Sequence, residues 1–68
     1  MTQCERILKY MCDFGEISTM QAFMDLGVTR LASRIYDIRK MGIEIESEPR
    51  TGKNRYGENT HYSVYRRV

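Results

Sequence analysis

The chain has one proline, two cysteines, one histidine and no apolar run long enough to cross a bilayer. Each scarcity removes a class of protein. One proline in 68 residues, with no low-complexity tract, internal repeat or linker, leads us to expect a single domain over residues 1–68. That length is near the lower limit for a self-sufficient core. Cys4 and Cys12 are eight positions apart in what reads as one helix, about 12 Å along its axis, too far to bond each other. No C-x-x-C pair accompanies His61, so no metal is expected. Unbonded thiols without a secretory leader point to the cytoplasm, with no membrane association. No cofactor is expected, because no glycine-rich phosphate loop opens a helix. The carboxylates Asp13, Glu16, Asp25, Glu44, Glu46 and Glu48 are scattered over helix ends and strand positions, so no catalytic set emerges. An enzyme is not expected.

Present instead are 41% hydrophobic and 29% charged residues, the balance of a globular protein. The net charge of +2 is small, but its distribution is uneven. Residues 1–28 hold two basic and four acidic side chains, whereas residues 29–68 hold nine basic and five acidic ones. The second part is therefore the anion-facing candidate.

Thr2 and Glu5 have capping-box spacing, which predicts a helix from there to about Asp13, with Cys4, Ile7, Leu8, Met11 and Phe14 as its apolar stripe and Gly15 as its stop. Ile17 stands alone and could bridge a later strand. Ser18 and Gln21 repeat the capping spacing and predict a short second helix with Ala22, Phe23 and Leu26 inward, ended by Gly27. Thr29 is expected to cap a third helix, in which Leu31, Ile35 and Ile38 face the core and Gly42 supplies a left-handed end. Ile43–Glu46 and His61–Arg66 alternate apolar with polar residues and predict two antiparallel strands. Between them PRTGKNRYGEN, Pro49 to Asn59, reads as a flexible basic hairpin tip. Three helices and a hairpin form an α+β winged helix-turn-helix order.

In a helix-turn-helix the second helix must be apolar behind and polar in front to enter a major groove. At 3.6 residues per turn, Arg30, Ser33, Arg34 and Asp37 form a row away from Leu31, Ile35 and Ile38, and Lys40 extends it. Arginine can fork onto guanine, and Asp37 can orient Arg34 from the next turn. With Thr29 at the cap, these residues are the helix's candidate contacts to double-stranded DNA. Arg50, Lys53, Asn54 and Arg55 are the candidates on the hairpin, placed to neutralise phosphates. Arg34 lies toward the edge of the buried arc, so a structural bond to Asp37, Asp25 or a loop carbonyl is its alternative role.

The run LGVTRLASRIYDIRKMGIEI, Leu26 to Ile45, resembles the core of small winged helix-turn-helix domains common in bacteriophages and bacterial mobile elements. The resemblance continues more loosely from Cys4 to Val64. It implies a DNA-binding fold that presents Arg30, Ser33 and Arg34 to DNA, with Arg50, Lys53 and Arg55 on the wing. One departure is a short turn, since Ile35 follows Gly27 by only eight positions. The expected function is DNA binding in transcription regulation or recombination, with a homodimer or a protein partner completing specificity. The competing expectation is a phage-encoded interaction module or inhibitor of a host protein, favoured by low net charge, Met20, Met24 and Glu44, Glu46 and Glu48.

Overall fold

A computed structural model describes all residues, Met1–Val68. The order is α1 (Gln3–Phe14), β1 (Ile17–Ser18), α2 (Thr19–Leu26), α3 (Leu31–Lys40), β2 (Ile45–Lys53) and β3 (Asn59–Arg67). The antiparallel sheet runs β1-β3-β2, so β3 is central. None of the helices is long and apolar enough to cross a membrane.

Both capping boxes form. The Thr2 hydroxyl accepts from Glu5 N–H and the Glu5 carboxylate accepts from Thr2 N–H, which satisfies donors that the first turn of α1 would otherwise leave unpaired. That bonding holds the Glu5 carboxyl below its ordinary pKa. Ser18 and Gln21 do the same for α2. α2 ends at Gly27, whose φ of +69° a side chain would resist. The Gly27 and Val28 N–H groups then donate to the carbonyls of Phe23 and Ala22.

The third helix departs from expectation at its start. Arg30, not Thr29, occupies the cap position, and no side chain caps the helix. Thr29 lies one residue too early for its hydroxyl to meet the first-turn N–H groups.

The core gathers Ile7, Tyr10 and Met11 of α1, Ile17, Ala22, Val28, the Leu31, Ile35 and Ile38 stripe of α3, and Ile45. Cys4, Leu8, Leu26, Ile43 and Tyr65 pack against it from more exposed positions. Two aromatic expectations fail. Phe14 is 68% exposed and Phe23 54% exposed. Phe14 closes the last turn of α1, where the chain turns away at Gly15, and its ring stacks at a tilt on Tyr10 with centroids 4.6 Å apart. Their inward places are taken by Tyr10 and Val28.

Tyr10 brings a polar tip into this packing, and its hydroxyl donates to the Asp25 carboxylate at 2.6 Å, joining α1 to α2. This bond, then burial and the Asp25 charge, lifts the phenol above its ordinary pKa of 10. A raised folded-state pKa contributes stability that is complete below the unfolded value and lost as pH rises through the folded one. The contribution of this bond to stability should therefore be complete below about pH 10 and be lost progressively above it. In Tyr10→Phe that part of the pH dependence should vanish, which urea melts at pH 8 and pH 11 will check.

The hairpin is longer than its composition suggests. β2 and β3 pair from Ile45↔Arg67 to Lys53↔Asn59, so the expected eleven-residue tip shrinks to Asn54–Glu58. Pro49 sits inside β2, tolerated because β2 is an edge strand with a neighbour on one side only. β1 reaches just two pairs of β3, Ile17↔Tyr65 and Ser18↔Val64. Beyond them the ribbon projects alone and helps give the molecule its 39 Å long axis.

Candidate nucleic-acid interface

Burying Leu31, Ile35 and Ile38 fixes which side of α3 looks outward. At 3.6 residues per turn the centre of the opposite face holds Ser33, Tyr36 and Lys40, with Asp37 beside them. All three central residues are exposed, Tyr36 by 61%. The Lys40 ammonium lies 5.3 Å from the centroid of the Tyr36 ring, within cation–π range. Arg30, exposed at the helix start, has no ion-pair partner. Tyr36 was not among the expected contacts. Its signal was its spacing, three residues after Ser33 and four before Lys40 on the same outward face, which an argument built on charge alone passes over.

Arg34 is not a free cation. It is half-buried and pairs with Asp37 at 3.5 Å, one turn along the helix, while its Nε is enclosed without a hydrogen-bond partner. Asp25, the other partner considered for it, is taken by Tyr10. Arg39 is also committed, donating through Nε and a terminal nitrogen to the Ile45 carbonyl at 3.3 and 2.9 Å. This ties the end of α3 to the start of β2.

On the hairpin the four expected contacts divide. Lys53 and Arg55 are exposed and unpaired. The Asn54 side chain builds the tip: its Oδ1 accepts from the N–H groups of Tyr56 at 2.9 Å and Glu58 at 3.0 Å, and its Nδ2 donates to the Glu58 carboxylate. An asparagine bonding its own backbone two residues on is a local turn device, which leaves little for a ligand. Tyr56 is 82% exposed at the apex.

Arg50 was expected on a mobile loop and is instead in β2, opposite Tyr62. Its guanidinium forks onto Glu16 at 2.6 and 2.9 Å and reaches Glu48 at 2.9 Å. Two carboxylate partners raise its already high pKa. The Arg50 hydrogen bond, then the charges of Arg50 and Arg66, holds the Glu48 carboxyl below the usual range. Arg66 contacts both Glu48, at 3.5 Å, and Glu46, at 3.2 Å. Alternation along the register places Glu46, Glu48 and Arg50 on the same face of the sheet as Tyr62, Val64 and Arg66. Three carboxylates thus outnumber two guanidinium groups in this network, and the one net negative charge left disfavours a polyanion there.

The uncompensated cations are accordingly Arg30 and Lys40 at the two ends of α3, Lys53 and Arg55 at the hairpin tip, Arg67 at the end of β3 and, away from these elements, Arg6 on α1. Lys53 also borders an open groove whose opposite wall is the first turn of α2, Thr19 to Gln21, with Gly52, Thr60 and Tyr62 completing it.

Comparison with known proteins gives one match. A family model described as a winged helix-turn-helix domain matches residues 2–66. No curated protein and no solved structure matches the chain.

Proposed function

The chain belongs to the winged helix-turn-helix domain family, a family with a general role in DNA binding, and from that premise we propose that it is a non-enzymatic regulator of transcription or recombination accessory factor of a bacteriophage or mobile element, acting on double-stranded DNA in the cytoplasm. The outward face of α3 enters the major groove, with Ser33, Tyr36 and Lys40 at its centre and Arg30 at its leading end. Lys53 and Arg55 on the hairpin contact phosphates. Thr29 and the Arg34–Asp37 pair flank the reading face, and Arg50 and Asn54 shape the hairpin.

The observation that carries this reading is the sorting of charge. Every cation on the outer face of the sheet is neutralised, whereas four on α3 and the hairpin tip are not. Each phosphate neutralised by a cation releases about 0.9 counterion, so four contacts predict a slope of log K against log salt of about −3 to −4. Fluorescence anisotropy with a random duplex between 50 and 300 mM salt will measure it. Binding that is absent, or indifferent to salt, would sink the proposal.

A second reading has its own observation. Met20, Phe23 and Met24 form an apolar stripe at i, i+3 and i+4 on α2, and Met20 and Met24 are 69% and 70% exposed. Exposed methionine stripes suit protein partners. A host protein bound through α2 should lose affinity in Met20→Ser/Met24→Ser, and duplex affinity should stay unchanged.

A further inference from the structure

The ribbon of β2 and β3 is a cantilever. β1 ends at Ser18, paired with Val64, and no third strand supports the hairpin beyond that point. Arg50 pairs with Tyr62, two positions further out, or about 7 Å along the strand at 3.3 Å per residue. From there it reaches back with a two-pronged contact to Glu16, the residue just before β1. Glu16 is itself anchored, because Ile17, which follows it, is fully buried. Arg50 also grips Glu48 on its own strand, and Glu48 and Glu46 hold Arg66 on β3. The chain Glu16–Arg50–Glu48–Arg66–Glu46 therefore runs from the body of the protein across the root of the ribbon.

We propose that Glu16 and Arg50 are positioning residues that brace the hairpin and set its pitch relative to α3, so that Lys53 and Arg55 reach the same duplex that α3 enters. The second half of this statement rests on the DNA-binding reading above, whereas the brace itself does not. An isolated surface ion pair contributes little to stability, and this one acts through geometry. Two parallel N–H···O bonds fix an orientation as well as a distance. A hinge restrained outside its last supporting strand pair has less freedom at its tip, and a cation that must be ordered on binding costs affinity.

The test turns on a substitution whose charge effect opposes its geometric effect. Glu16→Gln and Glu44→Gln each remove one negative charge, and Glu44 is exposed and outside the network. Electrostatics alone makes both variants bind DNA more tightly than the parent. The brace makes Glu16→Gln three- to tenfold weaker, with a salt slope smaller by about 2 for the loss of Lys53 and Arg55 contacts, and leaves Glu44→Gln at or above the parent. Arg50→Lys keeps the charge but cannot fork onto two carboxylates, so it should behave as Glu16→Gln does. Residual dipolar couplings of the free proteins decide the brace without DNA. In Glu16→Gln and Arg50→Lys the Gly52–Thr60 amides should report a hairpin reoriented or averaged relative to α1, while the helices keep parental values. Couplings equal to the parent's in both variants would overturn the brace. If the parent itself fails to bind DNA but its hairpin loosens in the variants, the functional reading falls and the brace stands.

Discussion

Ile38→Ala should remove about 2–5 kcal/mol of stability, the range for a buried isoleucine cut back to its β-carbon. Ile38 has no solvent exposure and completes the α3 stripe with Leu31 and Ile35. A chain of this size is expected to be stable by roughly 3–10 kcal/mol in total, so the substitution consumes a large share. Its neighbours in the cluster come from α1, the turn after α2 and β2, and these elements would all lose packing atoms at once. Urea melts followed by circular dichroism should show a much lower midpoint with an unchanged slope. Ile38→Val, which removes one methyl group, should cost about 1 kcal/mol. Met24→Ala on the exposed side of α2 should stay within about 0.5 kcal/mol of the parent. A midpoint for Ile38→Ala close to that of Met24→Ala would mean that α3 does not pack as described.

Two alanine sets should separate the roles of helix and hairpin. Lys53→Ala/Arg55→Ala should flatten the salt slope by about 2 and weaken all duplexes alike, because phosphate contacts carry no sequence information. Arg30→Ala/Tyr36→Ala/Lys40→Ala should also erode discrimination, by about 1–3 kcal/mol at each base pair the helix reads. Tyr36 is the sharpest member of that set. It is a large, partly apolar surface at the centre of the outward face, suited to a thymine methyl group, and Lys40 holds its ring. Competition between a selected site and random DNA, run at fixed salt, will resolve the two patterns. Identical losses on specific and random DNA from both sets would contradict a reading helix.

Local devices are the part of this protein that the sequence makes plain. Thr2 with Glu5, and Ser18 with Gln21, close their bonds within three residues, so spacing alone identifies both helix starts. The α3 stripe needs only the period of the helix. Ile17 was legible as an isolated apolar residue wanting a strand partner, and it finds Tyr65. What spacing could not supply is anything decided by a distant partner. Tyr10 can lie inside with its polar tip satisfied because Asp25, fifteen residues on, receives its hydroxyl. The basic loop becomes strand because β3 offers a ladder as far as Asn59, which outweighs the turn signals of Pro49 and Gly52. The bond of Arg50 to Glu48 spans only two residues and lay within reach of the sequence, whereas its fork onto Glu16 was hidden because Glu16 is 34 residues away. Fold order was therefore readable, and the division of cations into free and committed ones only in part.

The central place of β3 also bears on how fast the chain reaches this state. The helices can assemble through contacts close in sequence, but Ile17 and Ser18 have no sheet partner until Tyr65 and Val64 arrive from the far side of the hairpin. Closing a loop of that length costs entropy before any ladder bond repays it. Docking of β3 onto β1 is then the step expected to limit the rate. Truncating Val64 or Tyr65 should slow refolding in stopped-flow traces, whereas changes at Arg55 or Tyr56 should leave the folding rate alone.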